Sequence, residues 1–85
     1  MAAKKKPSHP IFNRIRVLRA ERDMSRVELA DLVGVNPQTI GALQQGDHSP
    51  SLDLAFRICD IFSLPVEAVF SREKFTPMSQ EMYKR

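Results

Sequence analysis

Among the 85 residues, the groups capable of covalent, acid–base or metal chemistry are few, and their spacing does not serve it. His9 and His48 stand far apart with no companion at ligand spacing, so no metal site is expected. Cys59 recurs with apolar neighbours at helical spacing, which places it in a core and not at a reactive surface. As the single cysteine it has no partner for an internal disulfide, which fits a reducing, cytoplasmic setting. Asp53 and Asp60 lie seven apart and read as a solvated helix face, not as an acid/base pair. The chain holds no GxSxG, P-loop or HExxH pattern. The expectation is a protein that is not an enzyme, with no cofactor and no small-molecule ligand.

What remains is charge and amide chemistry. The formal net charge is only +3, but it is unevenly placed. Residues 1–26 carry eight Lys or Arg against two acids, and residues 27–70 carry only Arg57 against six acids. Residues 71–85 return to four basic and two acidic residues. A basic first third on a near-neutral chain suggests an anionic partner, with nucleic acid ahead of an acidic protein. A solubilising tail would have the same composition.

These residues must be positioned by elements that an 85-residue chain can build. That length allows one domain with a small core and excludes barrels and doubly wound sheets. No apolar run approaches the roughly 20 residues of a membrane span, and no apolar stretch resembling a signal peptide follows the start. Residues 1–10, with Lys4, Lys5, Lys6 and two prolines, read as a flexible basic arm. Phe12, Ile15 and Leu18, with Val17 beside them, predict a helix over residues 11–22. Ser25 and Glu28 form a capping box for a helix over 26–33, whose apolar face is Leu29, Ala30, Leu32 and Val33. Gly34 ends it, since glycine adopts the left-handed conformation without a Cβ penalty. Asn36 and Pro37 open a third helix, with Ile40 and Leu43 inward and an end near Gln45 and Gly46. Ser51 begins a fourth, lined by Leu52, Ala55, Cys59 and Phe62 and widened by Leu54, Ile58 and Ile61. Pro65 begins a short fifth helix through residue 70. No convincing strand precedes residue 70. The fold expected is all-α, five helices over residues 11–70, with a tail over 71–85. Phe75, Met78, Met82 and Tyr83 make that tail either disordered or a dimerisation element. Only Gly34, Val35 and the Asn36 cap separate the second and third helices, a link tight enough to force helix-turn-helix geometry.

Ser25-Arg26-Val27-Glu28-Leu29-Ala30 resembles the start of the second helix in lambda-repressor-like, or Xre/Cro-type, helix-turn-helix regulators. Residues 33–40 resemble that family's turn and the beginning of its recognition helix. Pro50-Ser51-Leu52-Asp53-Leu54-Ala55 and residues 65–70 resemble its fourth and fifth helix starts. The resemblance spans about residues 12–70. It implies a sequence-specific double-stranded DNA-binding transcriptional regulator, a homodimer on a palindromic operator, with the third helix in the major groove. Some similar small regulators pair through a strand after the fifth helix, and residues 71–75 are the candidate here.

The resemblance also implies roles. Arg26 stands where the family usually has a phosphate-binding Gln, and Asn36 where the backbone is touched. Pro37 and Gln38 fall on the first positions of the reading helix, and Thr39 follows them. Pro37 brings no side-chain hydrogen bond there, Gln38 offers a bidentate amide suited to adenine, and Thr39 a hydroxyl or a methyl. Ala42 can only pack against a methyl group, while Gln45 falls on a phosphate-binding position. His48 is a further phosphate candidate, and Lys4, Lys5 and Lys6 are expected to raise affinity non-specifically. The family often pairs a Glu at position 44 with the Arg at position 19; here Gln44 is neutral, so a hydrogen bond is expected instead. The competing reading is an antitoxin-like or protein-interaction module on the same fold, because residues 36–46 contain no charge at all.

Overall fold

The structure, a computed structural model, describes residues 11–47 and 49–75. Two-residue strands, β1 (Phe12–Asn13) and β2 (Phe70–Ser71), bracket five helices. These are α1 (Ile15–Glu21), α2 (Arg26–Val33), α3 (Pro37–Gln45), α4 (Leu52–Phe62) and α5 (Val66–Val69).

Three helices begin on the caps read from the sequence. The Glu28 amide donates to Ser25 Oγ at 3.0 Å, and the Ser25 amide donates back to Glu28 Oε1 at 2.7 Å. Asn36 Oδ1 accepts from the Thr39 amide at 3.0 Å, and Ser51 Oγ from the Leu54 amide at 3.1 Å. Each such bond satisfies an amide that the first helical turn leaves without a partner. Gly34 closes α2 and Gly46 closes α3, both at φ 78°. Ser63 closes α4 at φ 56°, a left-handed position held without glycine.

The core gathers Ile15, Leu29, Ala30, Val33, Ile40, Leu43, Leu54, Ile58, Cys59, Phe62 and Val69. Leu32 and Leu52, expected inward, are exposed. In α2 the residues facing α3 and α4 are Leu29, Ala30 and Val33, and Leu32 points to the side of that face. Leu52 is the first residue of α4, directly after the Ser51 cap and beyond the end of the core.

The first helix starts later than its periodicity predicts. Residues 12 and 13 pair antiparallel with β2, Phe12 opposite Ser71 and Asn13 opposite Phe70. The Arg14 amide then donates to the Val69 carbonyl at 3.0 Å. Asn13 fixes the break: its Nδ2 donates to the Leu43 carbonyl at 2.7 Å and its Oδ1 accepts from the Ile15 amide at 3.1 Å. Apolar spacing cannot report a strand whose partner lies almost sixty residues away. The same pairing engages Ser71, the first residue of the candidate dimer strand, within its own chain. The rest of that segment carries no strand among the described residues, and Arg14 stacks on Phe75, its guanidinium 4.9 Å from the ring centroid.

Candidate nucleic-acid interface

The candidate site is the unit α2, turn and α3, and these two helices share the most extensive packing in the molecule. Their sharp angle follows from the short link and from the caps on both sides of it. The Gly34 and Val35 amides both return to the Ala30 carbonyl, at 2.8 and 3.0 Å, so the chain stops α2 and turns at once.

Arg26 is the first residue of α2 and is exposed. Asn36 caps α3 at its exposed end. Gln38 is exposed in the first turn, while Pro37 and Thr39 are half-buried. Thr39 Oγ1 donates to Asn36 Oδ1 at 3.2 Å, so its hydroxyl hydrogen is spent on the cap. Thr39 therefore offers a methyl group and an acceptor lone pair. Gln38, Ala42 and Gln45 follow at four- and three-residue spacing, and so line one face of the helix. That face presents two amides and one methyl, with no charge. His48 and Lys4, Lys5 and Lys6 lie outside the described residues.

The hydrogen bond expected of Gln44 is present: Arg19 Nε donates to Gln44 Oε1 at 2.8 Å. Arg19 Nη1 also donates to the Met24 carbonyl at 2.9 Å. Its partial burial, then the nearby charges of Arg26 and Arg16, push its pKa below the ordinary arginine value. Positive charge is thus concentrated where α1, α2 and α3 meet.

Not all of the basic charge in the first third serves that face. Arg22 reaches the end of α4, donating to the Ile61 and Phe62 carbonyls at 2.8 and 2.9 Å while its guanidinium lies over the Phe62 ring. Arg57 does the same for α2, donating to the Val33 carbonyl and pairing with Asp53 at 2.9 Å. Cations at helix C-termini satisfy orphan carbonyls and oppose the helix dipole. No sequence signal marks Arg22 for this role, because its partners are about forty residues distant. None marks Gly41 either. It is buried in the middle of α3, and the Arg26 side chain lies against it.

An open groove of about 550 Å³ runs beside the C-terminal end of α3, lined by Phe12, Gln45, Lys74 and Phe75 among others. Two of its polar residues, Asn13 and Gln44, are already hydrogen-bonded within the protein. Among the described residues no helix is long and apolar enough to cross a membrane.

A helix-turn-helix family model matches residues 15–69. An uncharacterised HTH-type transcriptional regulator of Bacillus subtilis, YgzD, is 44% identical over 62 residues, spanning 73% of this chain and 94% of that protein. The cryptic phage CTXphi transcriptional repressor RstR of Vibrio cholerae is 32% identical over 59 residues, spanning 69% of this chain and 53% of the repressor. A solved structure from Bacteroides fragilis superposes with a TM-score of 0.64 at 24% identity, covering 72% of this chain and 98% of that one. At that identity the superposition speaks for the fold alone.

Proposed function

Because the chain belongs to the Xre-type, lambda-repressor-like helix-turn-helix family of DNA-binding transcriptional regulators, we propose that it binds a palindromic operator as a homodimer. In this reading α3 enters the major groove of each half-site, and the protein acts as a repressor. The observation that carries it is the face of α3. Gln38 stands exposed two residues inside the Asn36 cap, with Ala42 and Gln45 along the same side and Arg26 beside them. An amide near a helix N-terminus is suited to a base edge, and the flanking guanidinium to a phosphate. Asn36, Pro37 and Thr39 would meet the backbone and base edges at the same end. Gln45 and His48 would reach phosphate beyond the helix, with Lys4, Lys5 and Lys6 adding non-specific attraction.

The protein-partner reading has its own observation: Leu52 and Phe56, one turn apart on the outer side of α4, are 70% and 51% exposed. A gel shift separates the two. Duplexes selected from a random pool, and the region upstream of the protein's own gene, are titrated across a salt series. The expected result is one duplex bound at least about 10³-fold more tightly than random DNA. Equal, weak binding to every duplex would reject the operator reading and favour the protein partner.

A further inference from the structure

Gly41 occupies a position that needs no glycine for its backbone. The positive-φ glycines are Gly34 and Gly46, and Gly41 lies within regular α-helix. A helix-interior glycine is disfavoured against alanine, because it loses more backbone freedom on folding. The reason for it is a side chain from the neighbouring helix. A Cβ built on Gly41 would lie 2.5 Å from Arg26 Nη1, 3.7 Å from Arg26 Cζ and 4.0 Å from Arg26 Cδ. The Arg26 guanidinium therefore fills the volume that any side chain at position 41 would claim.

The location of that slot gives it meaning. Position 41 follows Gln38 by three residues and adjoins the side of α3 that carries Gln38, Ala42 and Gln45. Arg26 has no carboxylate partner among the described residues, and Arg19 and Arg16 add charge of the same sign nearby. The cation lies beside Gly41, with no hydrogen-bond acceptor among the described residues, at the border of the uncharged reading face.

We infer that Gly41 is a positioning residue for DNA binding: its missing Cβ sets where the Arg26 guanidinium lies and aligns that cation with the reading face of α3. The inference rests on the assignment of Arg26 to phosphate. It predicts that a methyl group at position 41 displaces Arg26 without harming the helix, since alanine is the better helix former.

The test compares the full-length protein with Arg26→Ala, Gly41→Ala and the double variant. Each is assayed on the selected duplex and on random duplex across a salt series, with circular dichroism and thermal melting as controls. Gly41→Ala is expected to melt no lower than the parent. It should lose affinity on both duplexes about as far as Arg26→Ala does, about tenfold per subunit, the size of one charge-assisted hydrogen bond. Its salt slope should fall by about one unit for each phosphate that is no longer neutralised. In the Arg26→Ala background it should cost nothing more. Parental affinity and slope for Gly41→Ala overturn the inference, as does an equal loss in the Arg26→Ala background, which would mean that Gly41 itself touches DNA. Loss of helix content or a lower melting point overturns it too, assigning the slot to the fold. An Arg26→Ala variant that binds like the parent removes the phosphate assignment itself, a result distinct from failure of Gly41→Ala alone.

Discussion

Gln38 and Arg26 border the same surface but are expected to fail differently when removed. Gln38→Ala deletes the amide proposed for a base edge and should cost about 1–3 kcal/mol on the best duplex, with little effect on random DNA. Arg26→Ala deletes the cation proposed to pair with phosphate. It should weaken both duplexes alike and lower the salt slope by about one unit for each phosphate left unpaired. Equal losses on both duplexes for Gln38→Ala would move that residue to the backbone. Cys59 gives a prediction on stability instead. Its thiol is buried in the core, and burial, followed by the carboxylates of Asp60 and Glu67, raises its pKa. A pKa raised in the folded state means that the stabilisation is complete below the unfolded thiol's pKa and is lost as pH rises through it towards the folded value. Denaturant melts should therefore weaken above about pH 8.5, and Cys59→Ala should remove that thiol-linked decline. A decline of equal size in Cys59→Ala would assign it to other groups.

At the scale of elements, the caps were legible and the long-range ties were not. Ser25, Asn36 and Ser51 announce helices because each bond they make lies within three residues. Arg22 announces nothing, yet it fastens α4 to the segment after α1. Arg22→Ala should destabilise the fold by about 1–2 kcal/mol, since it removes two charge-assisted bonds to carbonyls from a partly exposed site. An unchanged denaturant midpoint would show that water replaces the guanidinium at no cost. Ser63 holds the left-handed end of α4 against its own Cβ. Ser63→Gly should relieve about 1–2 kcal/mol of strain and lose about half of it to backbone entropy, leaving a small rise in melting temperature. The late start of α1 belongs here too. Phe12, Ile15 and Leu18 repeat at helical spacing, but Phe12 and Asn13 gain ladder bonds from β2 that no local pattern encodes.

For the molecule as a whole, a single reading helix spans only a few base pairs, and a two-fold pair doubles the site. The expected species at micromolar concentration is a homodimer whose reading helices lie about 34 Å apart, one turn of DNA. Light scattering checks this directly, and a 9.7 kDa particle unchanged by added operator would refute it. Removing residues 1–10 should lower affinity for random and selected duplexes in the same proportion, with a shallower salt slope, because Lys4, Lys5 and Lys6 are assigned to non-specific attraction. A loss confined to the selected duplex would instead give the arm a role in reading sequence.

The sequence by itself determined the helix-turn-helix: its caps, its left-handed glycines and the short link are local, and local chemistry is written in consecutive residues. It also determined the polarity of α3, since Gln38, Ala42 and Gln45 share a side at the α-helical twist. Only the tertiary structure decided how the arginines divide. Arg22 and Arg57 serve helix ends and Arg19 serves Gln44 and Met24, while Arg26 lies against Gly41 with no acceptor among the described residues. Arginine chains of equal charge and length are indistinguishable in a sequence. Which carbonyl, amide or empty Cβ position each one meets depends on helices brought together from distant parts of the chain.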